Sequence, residues 1–364
     1  MSKRILMCGN EAIGEGAIQA GCSFYAGYPI TPQNELTAYM AKRMFEEKRV
    51  FIQSESELSA INMVFGASLA GARAMTTSSS PGISLKQEGI SYLVGCELPA
   101  VIVNIMRGGP GLGNIAPSQA DYFQATKGGG HGDYKTIVLA PASVEECFNL
   151  TMLAFELADL YRNPVFILGD GLLGQMMEPV ETERLSQIKN SDDKQTVISD
   201  KLKPWVLTGC KGRKPNIIRS LYLGEGVLEA HNKKLQEKFR KIKEKEVRFE
   251  AFSLEEAEFV LIAYGTVSRI CKAVVNRLRE KKMKVGLIRP ITLWPFPEEI
   301  IKKTARRAKR ILVVEMSSGQ MLEDVKLVVE GACPVDFYGR MGGGIPTEEE
   351  IEGKLISLQD GNKK

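Results

Sequence analysis

Glu55 and Glu57 stand two residues apart near the head of an otherwise small and apolar stretch, "FIQSESELSAINMVFGASLAGARAMTTSSSPG", which runs from Phe51 to Gly82. Carboxylates in such a setting are rare unless they are paired or used in chemistry. One reading makes both of them plain helix-start carboxylates, favoured there by the helix dipole. The other makes one of them a proton-handling group held out of water. Residue type alone leaves the two equivalent. Arg107 is a further candidate, because it closes the apolar run "PAVIVNIM". A guanidinium at the carboxyl end of a strand suits a two-pronged grip on a carboxylate. The glycine-rich segments "MRGGPGLG" and "KGGGHGDYK" can bring backbone N–H groups to an anion, although such runs are more often turns.

Other patterns stop short of a site. "GNEAIGEG" has glycines at Gly9, Gly14 and Gly16, which is not the spacing of a dinucleotide loop. Gly169-Asp170-Gly171 resembles the start of a Mg²⁺-diphosphate motif, which also needs an Asn and a backbone oxygen to complete an oxygen shell. The next Asn is Asn190, too early and within a polar segment. The triplet therefore reads as a strand-end turn, and no metal is expected on this chain. The seven cysteines, Cys8, Cys22, Cys96, Cys147, Cys210, Cys271 and Cys333, form no C-x-x-C pair. They read as buried free thiols rather than ligands of a cluster or zinc. His131 and His231 are the only histidines, too few for most His-based chemistry.

The chain has 364 residues, enough for two or three domains, and a net charge of +4. With no dense basic patch interleaved with aromatics, nucleic acid is not an expected partner. Apolar runs are broken by Arg, Lys or Glu before the roughly 18 residues a membrane span needs. The start, "MSKRILMCGNEAIGEG", has too short an apolar run for a signal-peptide core, so a cytoplasmic protein is expected.

The elements that would carry these residues alternate. "RILMCG", "CSFYAGYPI", "VFIQS", "RAMTTSSS", "PAVIVNIMR", "KTIVLAP" and "PVFILGD" read as strands. "NEAIGEGAIQAG", "ELTAYMAKRMFEEK", "SELSAINMVFGASLAGA" and "SVEECFNLTMLAFELADLYR" read as helices between them. Such alternation implies a parallel α/β sheet. Its ligands sit at the carboxyl ends of the strands, which puts "YPITP", the Ser-rich loop and "MRGGPGLG" on one rim. Within the third helix, Gly66, Ala67 and Ala70 are small enough to let another backbone approach. Beyond about residue 187 the chain turns polar, and "LEAHNKKLQEKFRKIKEKE" reads as a solvated connecting helix. Regular α/β alternation returns from "EFVLIAYG" onward. The expected division is a first domain over 1–187, a linker with a charged helix over 188–250, and a smaller α/β domain over 251–364.

Taken together, "GNEAI", "GYPITPQNEL", "SELSAINMVFGASLAGARAMTTSSSPGISLKQEGI", "PAVIVNIMRGGPGLGN", "QADYFQATKGGGHGDY" and "LGDGLLGQMMEPV" resemble the thiamine-pyrimidine-binding subunit of the 2-oxoacid:ferredoxin oxidoreductases. "VGLIRPITLWPFP", "VVEMSSGQMLEDV" and "GRMGGGIPTEEEI" resemble that family's transketolase-C-like domain. The resemblance covers nearly all of the chain except roughly 190–250, and its details are most like the branched-chain, ketoisovalerate type. It implies a pyrimidine-type thiamine-diphosphate-binding parallel-sheet domain followed by a transketolase C-terminal-like domain. The family's pyrimidine-contacting glutamate lies nine positions before a helix glycine. Here that glycine is Gly66, which selects Glu57 over Glu55. The substrate-binding threonine of "YPITP" is Thr31, and the substrate-carboxylate arginine is Arg107. The family places the cofactor's diphosphate and Mg²⁺ on a beta-type partner subunit and the iron–sulfur clusters on partner subunits; a gamma-type subunit and iron–sulfur subunits are the further partners. Ferredoxin accepts the electrons and coenzyme A takes the acyl group. The implied reaction is oxidative decarboxylation of 3-methyl-2-oxobutanoate. A 2-oxoglutarate or pyruvate enzyme, or a non-catalytic scaffold subunit of such a complex, are the alternatives.

Overall fold

The computed structural model describes residues 4–182 and 203–361. The expected border at residue 187 and Asn190 both lie outside the described residues. The alternation read from the sequence folds into two sheets and one small ribbon. The first sheet takes β2 (Phe24–Gly27), β3 (Val50–Gln53), β4 (Ala74–Ser78), β5 (Ala100–Met106), β6 (Ile137–Leu139) and β7 (Pro164–Asp170), all parallel. Their order, with a seventh strand β12 (Thr292–Trp294) antiparallel at one edge, is β12-β6-β7-β5-β4-β2-β3. Helices cover a parallel sheet on both faces, so its central strands are apolar throughout. All seven residues of β5 are buried, as are all seven of β7.

The helices of this half are α1 (Gly9–Gln19), α2 (Asn34–Glu46), α3 (Glu57–Leu69), α4 (Ser80–Gly95), α5 (Val144–Tyr161) and the short α6 (Gly171–Gln175). The second sheet, β14-β13-β10-β11-β9, joins β9 (Phe249–Phe252), β10 (Phe259–Ile262), β11 (Val285–Pro290), β13 (Arg310–Glu315) and β14 (Val335–Gly339). Its helices are α8 (Gly265–Glu280), α9 (Glu298–Ala305), α10 (Gln320–Val329) and α11 (Glu348–Gly361), preceded by α7 (Val227–Lys245).

Four details depart from the sequence reading. β1 (Arg4–Cys8) is a strand, but it pairs antiparallel with β8 (Met177–Glu181), apart from the parallel sheet. Arg4, Ile5 and Leu6 are exposed, which a doubly covered parallel strand does not allow. α4 occupies what reads as a Ser-rich loop, since Pro81 in its first turn suits a helix start. α7 is not simply solvated. Leu235, Phe239 and Ile242 fall on one face at intervals of four and three and are buried, with Phe239 edge-on to Trp294 at 6.0 Å. Cys210 is exposed, whereas the other six cysteines are buried.

The two halves are tied by polar contacts from buried groups. Arg289 makes a two-pronged pair with Glu146, both bonds at 2.8 Å. Gln119 donates to the Tyr264 carbonyl and accepts from the Met316 N–H, both at 2.9 Å. These bonds fix the first sheet's rim against the second sheet, and that contact shapes the site below.

Candidate active site

The chain leaves β3 extended and enters α3 through Ser56, whose hydroxyl caps the Ser59 N–H at 3.2 Å. The Ser54 hydroxyl pins this joint by donating to the carbonyls of Gly27 and Ser56. The turn separates the two glutamates. Glu55 is exposed and accepts from the Ser56 hydroxyl. Hydrogen bonding from Ser59 holds its carboxyl below the usual range. Glu57 is 5% exposed. Among the described residues its carboxylate makes no hydrogen bond and no ion pair.

The first turn of α4 faces Glu57 with no side chain. A Cβ on Gly82 would lie 2.4 Å from Glu57 Oε1 and 2.1 Å from Ser78 Oγ, closer than atoms can pack. Gly82 is thus the residue whose lack of a side chain makes room for the carboxylate. The Ser78 and Ser79 hydroxyls are buried and have no partner among the described residues. Gly66, by contrast, is exposed with nothing within 4 Å, so the close approach expected there is absent within this chain. The close α3–α4 contact lies instead at Gly89, where a Cβ would meet Ile61 at 2.6 Å.

Thr31 and Arg107 meet directly. Arg107 is 8% exposed and donates from Nη1 to the Thr31 carbonyl at 2.9 Å and from Nη2 to the Leu112 carbonyl at 3.3 Å. Its Nε is buried and has no partner among the described residues. Ser80 holds the arginine's backbone: its hydroxyl accepts from the Arg107 N–H at 3.1 Å. The same hydroxyl donates to Asp121 Oδ2 at 2.6 Å. Asn104 braces the group, donating to Asp121 at 2.8 Å and accepting from the Ser80 N–H at 3.0 Å. Burial pushes the Asp121 carboxyl above its ordinary range.

A cavity of about 530 Å³ opens beside Arg107. Ser80, Asp121 and the 108–111 loop line it from the first half, and Met316, Gln320 and Met341 from the second. Glu57 does not line this cavity. The first turn of α4 links the two places, with Ser80 and Pro81 on the cavity and Gly82 against Glu57.

The Gly-Asp-Gly triplet does other work. Asp170 Oδ1 caps α6 by accepting from the N–H groups of Leu172 and Leu173, and Oδ2 accepts from the Thr266 hydroxyl at 2.6 Å. Both oxygens are thereby engaged, Oδ1 within the first half and Oδ2 in joining it to the second. Reading the sequence missed Ser80, Gly82, Asn104 and Asp121. A signal for the first two was present in Pro81, which marks a helix start immediately after the β4 strand.

Thiamine is tested against these residues by what they leave unsatisfied. A buried carboxylate with no hydrogen bond or ion pair among the described residues, beside two buried hydroxyls that likewise lack a partner there, fits a polar ring edge that enters from outside this chain's own packing. Comparison with known proteins agrees. The family "Pyruvate flavodoxin/ferredoxin oxidoreductase, thiamine diP-bdg" matches residues 15–248. The "Pyruvate:ferredoxin oxidoreductase core domain II" matches residues 257–351. The chain belongs to the 2-oxoacid:ferredoxin oxidoreductases.

Within this family, the ketoisovalerate oxidoreductase subunit VorB of Methanothermobacter marburgensis is 51% identical over 96% of each chain. The 2-oxoglutarate synthase subunit KorA of Methanocaldococcus jannaschii is 39% identical over 96% of this chain and 98% of that one. A solved 2-oxoglutarate:ferredoxin oxidoreductase from Magnetococcus marinus, with 2-oxoglutarate, coenzyme A and succinyl-CoA bound, superposes with a TM-score of 0.86 at 28% identity. The match covers 98% of this chain and 65% of that one. A split-gene transketolase shares the fold, with a TM-score of 0.59 at 14% identity. Its relatives are subunits, so this chain is an oxidoreductase component that works within a multisubunit complex. Among the described residues no helix is long and apolar enough to cross a membrane.

Proposed function

We propose that this chain holds the pyrimidine half of thiamine diphosphate in a complex that oxidatively decarboxylates 3-methyl-2-oxobutanoate with coenzyme A, giving an acyl-CoA, CO₂ and reduced ferredoxin. The observation that carries the reading is the Glu57 carboxylate, buried yet with no hydrogen bond or ion pair among the described residues, in the space that Gly82 leaves for it. Glu57 hydrogen-bonds the ring's N1′ and keeps a proton shareable there. Thiamine diphosphate, once bound, supplies the carbanion chemistry. Arg107, with its free Nε, and Thr31 bind the substrate carboxylate and fix its direction. The diphosphate and Mg²⁺ belong to a beta-type partner. The iron–sulfur clusters belong to further partners, a gamma-type subunit among the chains of the complex, and ferredoxin is the acceptor. The complex works in the cytoplasm. The division into 1–187, 188–250 and 251–364 stands as part of the same proposal, with β12 crossing back onto the first sheet.

The choice of a branched-chain substrate over 2-oxoglutarate rests on the cavity. Arg107 is the one cation among its described lining residues, and Pro81, Met316 and Met341 give it apolar wall. A second substrate carboxylate would face Asp121 there, a like charge. The higher identity to VorB than to KorA supports the same choice. The test is a copurified complex assayed by methyl-viologen reduction over a panel of 2-oxoacids with coenzyme A. Preference for 3-methyl-2-oxobutanoate is expected, and preference for 2-oxoglutarate would overturn the substrate assignment. Glu57→Gln should lose most of the activity while the subunits still assemble. Near-normal turnover in that variant would sink the role given to Glu57.

A further inference from the structure

Lys86 lies one turn beyond Gly82 on the same face of α4, and its side chain is fully buried. Lysines almost never sit there unless paired, because desolvating an ammonium is costly. Its Nζ donates to Thr76 Oγ1 at 2.5 Å and to the Thr77 carbonyl at 3.2 Å, both neutral acceptors. Among the described residues it has no ion pair. The charged group that acts on it is Glu57, from α3, which packs against Gly82 one turn before Lys86. From β4 it meets Thr76 and Thr77, and behind Thr77 lies a neutral network. The Thr77 hydroxyl bonds Gln33 Oε1 and the Tyr25 hydroxyl, both at 2.6 Å, and the chain of bonds continues to Thr37. Tyr25 is the titratable member of that network, and burial pushes it up to about 12, so it adds no charge.

We propose that Lys86 is the buried counter-charge of Glu57, a positioning residue that sets how tightly this carboxyl holds its proton toward the thiamine ring. The proposal rests on the pyrimidine-binding role given to Glu57 above. Burial pushes the Lys86 ammonium down to about 7, and attraction to Glu57 opposes that fall. Coupling of this kind is reciprocal: an ammonium at position 86 favours ionised Glu57, and ionised Glu57 favours the ammonium. A wholly structural lysine would serve its two hydrogen bonds equally well at any distance from a carboxylate. One turn from the glycine that makes room for Glu57 is the place a counter-charge requires.

The experiment is a pH titration of the full chain labelled with [ε-¹³C]lysine and read by NMR, for wild type, Lys86→Met and Glu57→Gln. One lysine signal should titrate near pH 7 and vanish in Lys86→Met, which assigns it. In Glu57→Gln that signal should titrate lower by roughly one unit, because the opposing attraction is gone. A Lys86 signal that titrates near 10, or at the same pH in both chains, overturns the proposal. In the reconstituted complex, Lys86→Met should move the acid limb of kcat/KM upward by a similar amount, and an unmoved profile also overturns it. The NMR reading needs no cofactor. Retained turnover in Glu57→Gln would therefore refute the thiamine role while leaving the measured coupling intact.

Discussion

Replacing Lys86 by Met should stabilise the full chain, and more so in acid. A lysine in the unfolded chain titrates near 10.5, whereas Lys86 in the fold is pushed down to about 7 by burial. Between those values the unfolded chain holds a proton that the folded chain has released, so the Lys86 contribution to stability rises with pH across about 7 to 10.5. Below about 7 the folded state carries the full cost of a desolvated ammonium. A gap of about 3.5 units at 1.36 kcal/mol each makes that cost about 5 kcal/mol, as an upper figure. Methionine removes it but leaves the Thr76 hydroxyl and the Thr77 carbonyl without their donor, at about 1–3 kcal/mol. The net gain is therefore about 2–4 kcal/mol at pH 6. At pH 9 the ammonium's cost has fallen to about 2 kcal/mol and the net change is near zero. The lost hydrogen bonds do not titrate, so the difference between the two pH values, about 3 kcal/mol, isolates the charge. Calorimetry or denaturant unfolding of both chains at pH 6 and pH 9 measures it, as about 3–4 °C in relative Tm. A stability difference that is the same at both pH values, to within about 0.5 kcal/mol, would refute the reasoning, because it would mean that Lys86 enters the fold at no electrostatic cost.

Two further outcomes follow from the site. Arg107→Ala should chiefly raise KM for the 2-oxoacid in the reconstituted complex, by about 10² or more if a two-pronged charge-assisted bond is lost. An unchanged KM and rate would count against the carboxylate-binding role. Gly82→Ala puts a methyl group where Glu57 Oε1 and Ser78 Oγ already are, so the carboxylate must move. Thiamine-dependent activity should fall at least about tenfold. Unfolding of the chain alone should change little, since alanine favours a helix by about 1 kcal/mol over glycine and offsets part of the strain. Full activity in this variant would show that the position of Glu57 does not matter.

Much of the scaffold is visible in the chain before folding. Apolar runs such as "PAVIVNIM" and "PVFILGD" admit few readings other than buried parallel strands, and β5 and β7 pair along their whole length. Arg107 follows from that, because a residue that closes such a strand must stand on the carboxyl rim. The misreadings have a common cause. The start of α4 is taken into a loop because serines, a proline and a glycine cluster there, and local composition outweighs the apolar spacing further on. α7 is mistaken for a solvated helix because three apolar residues in a run of Lys and Glu look like noise until Trp294 arrives from the second half to cover them.

The sequence by itself determined most of the strands and helices, which strand ends carry Thr31, Glu57 and Arg107, and, through its motifs, the family. It could do so because strand and helix periodicity and strand-end position are local properties of the chain. Tertiary structure alone decided the environments. The turn at Ser56 sends Glu55 to solvent and Glu57 into the interior, a separation that two identical side chains two residues apart do not encode. Packing of α4 against α3 sets Gly82 against one carboxylate and buries Lys86 one turn away. Met316, Gln320 and Met341 close the cavity beside Arg107 from some two hundred positions along the chain. Burial, charge coupling and cavity shape arise between residues distant in sequence, and no local pattern carries them.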